Sequence, residues 1–384
     1  MAELLVLLVP LAVAYGWYMG RRSVALEHRR RELKNSESYV AGLNYLLADQ
    51  SDKAVDLFIQ AIEVDRHTID THFAVATLFR RRGELERAIR LHSNLLARPS
   101  LPQEFRELAA LELAEDYLSA GVVDRAEQLL LELLTNDAHR AKAGARLLLI
   151  CEQSHDWQRS LELARQFRLQ REAALLPTIF HHQCQLAEQA LAAGQLSEAR
   201  DLLQPAARLL PDHPRLALLQ ADLARQQQQP EEEYQALTRA LRLQPLLARE
   251  TLPRLEQLAG GEQRPHLEAL LATLDADAAV SLALAQAVAL QQRQGALIAR
   301  EYLLTLLRQR PNLRAFRLLT TLYGADSGDA DSWLQLGELL DGYLAVNNPY
   351  QCQGCGYQSR ILLWHCPACQ RWDSISAKRG LDGE

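Results

Sequence analysis

The sequence predicts an all-α chain: a solenoid of helical repeats, preceded by an N-terminal transmembrane helix and followed by a small C-terminal metal-binding domain. Three observations predict it. Leu, Ala, Arg, Gln and Glu dominate the 384 residues, aromatics are only 6%, and Gly numbers 18, a mix that favours helix over a large sheet. Small residues recur through the middle of the chain at a spacing near 34. Four of the six cysteines fall in two CxxC pairs near the C-terminus. The same composition excludes other classes. A net charge of -6 gives no electrostatic case for nucleic acid as a partner. Two CxxC pairs plus the isolated Cys151 and Cys184 do not make the disulfide framework of a small secreted domain, and a reducing compartment fits better.

The first element is the run LLVLLVPLAVAYGWYMG from Leu4 to Gly20, which carries no charge. At 1.5 Å per residue it reaches roughly 26 Å, enough for a thin bilayer core. Pro10 is tolerated in such a helix, and Trp17 and Tyr18 stand where an interfacial belt would lie. Positive charge follows the run, at Arg21, Arg22, Arg29, Arg30, Arg31 and Lys34. A cleaved signal peptide carries it before the run. The expectation is an uncleaved single-pass anchor over 1–20 in contact with membrane lipid, with a basic linker over 21–35. The positive-inside rule places the N-terminus outside and the remainder in the cytoplasm.

The repeats occupy 36–345. Ala54, Ala88, Ala126, Ser160, Ala199 and Glu233 are successive anchors; three of the five intervals are 34, Ala88 to Ala126 is 38, where RPSLPQ adds residues, and Ser160 to Ala199 is 39. Twelve residues before an anchor stand Gly42, Ala76, Ala114 and Ala187; nine before stand Tyr45, Phe79, Tyr117 and Ala190. Gly83, Gly121 and Gly194 lie five before, and Pro211 and Pro245 twelve after. Each unit reads as helix, Gly turn, helix, Pro stop, with small residues where two helices cross. About six units are recognisable between Ser36 and Pro245. A weaker pair ends at Pro311, and two last helices, RAFRLLTTLYG and DSWLQLGELLDGYL, are expected to cap the stack. The pattern resembles the tetratricopeptide repeat, matched by Gly42, Tyr45, Ala54, Phe58 and Ala61 in the first unit and by Ala187, Gly194, Ala199, Ala206 and Pro211 in the fifth, without the family's first Trp. That resemblance implies a groove that binds protein.

The chemistry concentrates in 346–384. Cys352 and Cys355 form one CxxC and Cys366 and Cys369 the other, with ten residues between. Thiolates spaced this way reach one ion at about 2.3 Å and close a tetrahedron. The expected cofactor is therefore one metal ion, zinc in preference to iron, with a structural role. CQGCGY and CPAC look like the knuckles of rubredoxins and zinc ribbons. Gln370 departs from the rubredoxin pattern, and the short interval is too small for a full rubredoxin domain. Trp364 and Trp372 are expected to form the domain's small core or to dock it on the repeats, and His365 to stand outside the ligand set. His181 and His182, adjacent and so about 100° apart on a helix, read as helix-surface residues. Arg80, Arg81 and Arg82 read as a solvated last turn. Cys151 and Cys184 read as packing residues. No P-loop, GxGxxG, HExxH or GxSxG occurs, so no catalytic residue is assigned and an enzyme is not expected.

The order of parts is itself a signature: AYGWYMGRRS after the apolar run, an array opening YVAGLNYLLADQSDKAVDLF, and a terminal CGY…LLWHCPACQRW followed by RGLDGE. Together these resemble the lipopolysaccharide assembly protein B family of Gram-negative bacteria. The resemblance implies an inner-membrane adaptor with its repeats and rubredoxin-like domain in the cytoplasm. It implies partners: the membrane-bound AAA+ protease FtsH, the lipid A-committing deacetylase LpxC whose proteolysis it promotes, an inner-membrane regulator that senses lipopolysaccharide, and other lipopolysaccharide assembly proteins. A homodimer stays open. The rival reading is a rubredoxin-type iron electron carrier tethered to a membrane complex.

Overall fold

Small residues at helix crossings decide the architecture, because only Ala, Gly or Ser lets two backbones approach closely enough to share one core. The computed structural model describes residues 15, 17–19, 21, 40–47, 50–60, 66–99, 101–260, 264–325 and 330–384. The expected anchor and basic linker otherwise lie outside these residues, and no described helix is long and apolar enough to cross a membrane. The chain divides after Ile150 into two compact units.

The first unit holds α1 (40–47), α2 (Ser51–Gln60), α3 (Arg66–Arg81), α4 (Leu85–Leu96), α5 (Gln103–Ser119), α6 (Val123–Leu133) and most of α7 (Asp137–Gln153). Consecutive helices pack on one another, α3 on α4, α4 on α5 and α5 on α6. The anchors Ala54, Ala88 and Ala126 are fully buried, as are Ala76, Phe79 and Ala114 from the preceding helices.

The second unit continues with α8 (Trp157–Gln166), α9 (Leu176–Ala192), α10 (Leu196–Leu209), α11 (Pro214–Gln226), α12 (Pro230–Leu243), α13 (Ala248–Leu258), α14 (Arg264–Thr273), α15 (Val280–Gln294), α16 (Ala296–Gln309), α17 (Leu313–Gly324) and α18 (Ala330–Val346). Ser160, Ala199 and Ala299 are fully buried at the crossings. The degenerate unit is α13 and α14. Pro253 lies inside α13, and Leu267, Leu270 and Leu271 fill the core in place of a small residue. The last two helices, α17 and α18, pack on each other, and α17 packs on α16. Gly337 is the single buried residue of α18, and a Cβ there would stand 3.0 Å from the Arg317 guanidinium carbon. The described residues thus carry eighteen helices, enough for nine repeat units where the sequence showed six clearly.

One turn closes five of these pairs. The residue five before the anchor has positive φ at Gly83, Gly121, His155, Gly194 and Gln228. The next N–H reaches back to a carbonyl five residues earlier: Glu84 to Phe79, Val122 to Tyr117, Asp156 to Cys151, Gln195 to Ala190 and Gln229 to Ala224, at 2.8–2.9 Å. This left-handed C-cap satisfies carbonyls that the helix end leaves open. Two turns manage it without glycine.

After α18 the chain makes a three-stranded antiparallel sheet, β1 (Tyr350–Cys352), β2 (Gln358–Ser359) and β3 (Ile375–Ala377), in the order β2-β1-β3. Tyr350 pairs with Ser359 on one side and with Ala377 on the other. Tyr350, Cys352, Cys366, Ile375 and Ala377 make its core. With so small a core a bound metal must supply much of the folding free energy.

Candidate metal centre and its docking face

The two CxxC segments fold into matching knuckles. Gly356 N–H donates to Cys352 O at 3.0 Å and Gln370 N–H to Cys366 O at 2.9 Å; Cys352 N–H reaches Tyr357 O at 2.8 Å and Cys366 N–H reaches Arg371 O at 3.0 Å. The residue after each second cysteine is left-handed, Gly356 with φ 80° and Gln370 with φ 55°. The departure at Gln370 therefore leaves the knuckle geometry intact.

The knuckles bring together all four expected ligands, Cys352, Cys355, Cys366 and Cys369, with their sulfurs within 4.8 Å of one another. The Cys352–Cys369 and Cys355–Cys366 sulfurs are 3.6 and 3.7 Å apart. A tetrahedron of bonds about 2.3 Å long has edges of about 3.8 Å, so the donor set fits one tetrahedral ion. Ser374 beside its sulfur, with the amides of Cys355 and Gly354, pulls the Cys352 thiol down to about 6. At Cys355 the Tyr357 amide acts downward, but desolvation and the neighbouring sulfurs outweigh it and raise that thiol to about 11. Four thiols that cannot all ionise unaided are a site that a dication stabilises. With four thiolates in place there is no open position for water or substrate.

The opposite face of this domain is fixed to the repeats of the second unit. Trp372 stacks on the His181 ring, centroids 4.5 Å apart and planes 5° from parallel, with the Arg215 guanidinium carbon 5.4 Å from its centroid. Asp373 Oδ2 accepts from His181 Nε2 at 2.9 Å and from His213 Nε2 at 3.2 Å. Glu152 Oε2 accepts from Trp372 Nε1 at 3.1 Å and from His182 Nε2 at 3.3 Å; His365 Nε2 lies 2.8 Å from Glu152 Oε1. Tyr350 hydroxyl donates to Glu250. Leu362 and Trp364 pack on the cluster of Ala217, Ala240 and Leu247.

His181 and His182 are thus not helix-surface residues. Both are fully buried, because α9 meets a helix on one side and the metal domain on the other. His365 is outside the ligand set, as expected, yet engaged. Trp372 and Trp364 are docking residues. Cys151 and Cys184 are buried packing residues, and burial pushes the Cys184 thiol up to about 12. In the first unit Arg80 departs from expectation: it is partly buried and pairs with Glu112 at 2.7 Å and Asp116 at 2.9 Å, while Arg81 and Arg82 are exposed.

His181, His213 and Asp373 also bring three ligand-type atoms within 4.8 Å, but hydrogen-bond direction decides against a second ion. Arg215 Nη1 donates to His181 Nδ1 at 3.0 Å, and the Arg215 backbone N–H to His213 Nδ1 at 3.2 Å. Those nitrogens can only donate, so both Nδ1 atoms accept and both ring protons sit on Nε2, pointing at Asp373. The lone pairs a cation needs are absent there. Burial lowers His181 to about 4, against the opposing pull of Asp373, and lowers His182 too. Both rings are neutral near pH 7. Burial acts to raise Glu152 and Asp373, but the His182 and Trp372 hydrogen bonds and the neighbouring His365 ring bring Glu152 down to about 2. The His181 and His213 bonds likewise hold Asp373 well below the usual carboxylate range.

One signal in the sequence pointed here. Position 215 follows position 181 by 34 residues, one repeat, so His181 and Arg215 occupy equivalent buried places on the first helices of successive repeats. Polar residues at a core register require a partner. The identity of that partner, 192 residues away at Asp373, left no trace in local pattern.

Comparison with known proteins bears on the four-cysteine domain and on the chain as a whole. Residues 350–377 match the family model of a rubredoxin metal binding domain. The chain is similar to lipopolysaccharide assembly protein B of Escherichia coli K12, 34% identical over 390 residues with the whole of both chains covered. It is similar also to lipopolysaccharide assembly protein B of Haemophilus influenzae, 32% identical over 393 residues with 98% of each covered. From the apolar N-terminus through the repeats to the four-cysteine domain, this chain belongs to the lipopolysaccharide assembly protein B family.

Proposed function

We propose that the protein is a membrane-anchored adaptor in lipopolysaccharide assembly, and that it acts by promoting FtsH-dependent proteolysis of the deacetylase LpxC. The observation that carries this reading is the end-to-end likeness to proteins named for lipopolysaccharide assembly. The closed four-thiolate set supports the non-catalytic part, since a filled tetrahedron neither activates water nor binds substrate. The metal, zinc in preference to iron, holds the small domain in shape, and the domain in turn walls the repeats of the second unit. The anchor over Leu4–Gly20 confines the adaptor beside an inner-membrane protease and an inner-membrane lipopolysaccharide sensor, raising encounter by effective concentration. The first unit carries an open groove of about 670 Å³ lined by Arg80, Leu108, Glu112, Glu115, Lys142 and Arg146, a surface of mixed charge suited to a protein client.

The test is replacement of the chromosomal copy by a form lacking 4–20, with LpxC abundance read by immunoblot. The soluble form is expected to accumulate folded while LpxC rises; normal LpxC levels would contradict the membrane role. Crosslinked capture from membranes, intact chain against Cys352→Ser, is expected to recover FtsH and LpxC with the intact chain. Elemental analysis separates the rival: bound iron with a visible thiolate absorption band would favour an electron carrier.

A further inference from the structure

The segment after β3 holds no metal ligand and no strand, yet it is inserted into the repeats. Lys378 N–H donates to Pro349 O at 2.7 Å. The chain turns through Gly380, φ +120°, and doubles back until Glu384 N–H reaches Lys378 O at 2.6 Å. Gly383 passes so close that a Cβ would stand 1.9 Å from Lys378 O. No side chain fits at that position.

The turn meets the N-termini of α15 and α17. Leu313 N–H donates to Leu381 O at 2.7 Å. Asn312 Nδ2 donates to Gly380 O at 3.1 Å and Gly383 O at 3.0 Å, while its Oδ1 caps α17 by accepting from the Arg314 and Ala315 amides. The Glu384 residue is 1% exposed. Its Oε1 accepts from Ser281 Oγ and from Arg314 Nη1, both at 2.5 Å, and its Oε2 accepts from the Ser281 amide at 2.8 Å. Arg314 Nη2 also donates to Ser281 Oγ at 2.8 Å. A buried carboxylate is thus held by a guanidinium, a hydroxyl and an amide from the first turn of α15, an end whose dipole favours an anion. The backbone of the segment is held separately, through its carbonyls.

Every donor belongs to the repeats and every acceptor to the segment. We propose that Ser281, Asn312, Leu313 and Arg314 form a binding site for a turn-forming acidic peptide of the form Gly-X-X-Gly-Glu, and that residues 380–384 are its tethered ligand. Docking of the metal domain is then a two-point attachment. One point is the Glu152 and Asp373 network on α7, α9 and the start of α11; the other is this carboxylate site on α15 and α17. The second point is a reversible equilibrium independent of metal binding, held closed by the effective concentration of the tether. A free peptide with the same ending competes for it.

The test uses the full chain and a form lacking 380–384. The probe is a fluorescein-labelled synthetic peptide spanning Ala377–Glu384, amidated at its end so that only side-chain carboxylates are presented. Fluorescence anisotropy is expected to show saturable one-to-one binding to the deleted form and at least tenfold weaker binding to the intact chain. Arg314→Ala in the deleted form, or Glu384→Gln in the peptide, is expected to weaken binding at least tenfold, with metal content unchanged. Absence of saturable binding to a deleted form that keeps its metal and helical signal overturns the proposal. Should the deletion unfold the second unit, hydrogen exchange on the intact Glu384→Gln chain decides. Faster exchange at the Leu313 amide with metal retained supports the site, and unchanged exchange there overturns it.

Discussion

Asp373 gathers two histidines of the repeats, the buried His181 and the part-buried His213. The Asp373 side chain is 43% exposed, so its removal lets water reach the Nε2–H groups of His181 and His213 in place of the carboxylate. A hydrogen bond exchanged for one to water is worth about 0.5–1.5 kcal/mol, so Asp373→Ala is expected to weaken docking by about that amount. Denaturant titration followed by tryptophan emission reads the loss, and elemental analysis is expected to show an unchanged metal. A second residue-scale expectation concerns the exposed Gln228, held at φ 58° where other repeats place glycine. Gln228→Gly relieves left-handed strain and is expected to stabilise the second unit by roughly 0.5–1 kcal/mol, less the added freedom of the unfolded chain; a lower melting temperature would contradict it. Individual residues were unevenly legible. The four cysteines could be named as ligands because spacing alone carries that chemistry. His181 and His182 were misjudged because burial by a domain nearly 200 residues downstream has no local pattern.

At the scale of elements, pH is expected to act on docking rather than on the helices. His181 titrates near 4 when docked and near 6.5 when released. Its neighbours are Asp373, His213, Arg215 and Trp372. The released state takes up the proton first as pH falls, so this contribution to docking is full above about 6.5 and is lost progressively toward 4. Glu152, lowered to about 2, adds in the same direction at lower pH: its contribution is full above the ordinary carboxylate value and disappears as pH drops toward 2. Tryptophan emission at pH 7.5 and 5.0, with metal content measured alongside, is expected to shift toward that of exposed indole at the lower pH with metal retained. An identical spectrum at both values would remove the histidines from the account. The elements themselves were readable wherever the anchor was Ala or Ser. The α13–α14 unit was legible only as a degenerate one because leucines and an internal proline replace the small-residue register, and α17–α18 only as closing helices because Gly337 stands 38 residues past Ala299, outside the regular interval.

At the scale of the molecule, repeat arrays gain stability from nearest neighbours, so damage stays local. Removing the metal is therefore expected to unfold the β1–β3 domain and deprotect α9 and α11 while most helical signal survives. Circular dichroism at 222 nm with peptide-resolved hydrogen exchange, before and after chelation, checks this; a cooperative loss of all helix would show that the metal supports the whole chain. The overall plan was legible because each part has its own signature, a small-residue period and a cysteine spacing. How the parts meet was not, since docking depends on single side chains chosen from a face that periodicity treats as uniform.

The distance along the chain between Glu152 and Trp372, 220 residues, sets an order of events during synthesis. At about 5–20 residues per second, the helix carrying Glu152 leaves the ribosome roughly 10–45 s before the tryptophan it will hold. Through that interval Glu152, His181 and His182 face solvent or whatever chaperone is at hand, and helices can complete their local pairing first. Closing the longest loop in the unit is then a late step. A nascent chain stalled before Cys352 should carry nearly full helix and an open acidic and imidazole surface, a maturation stage with a recognisable face of its own.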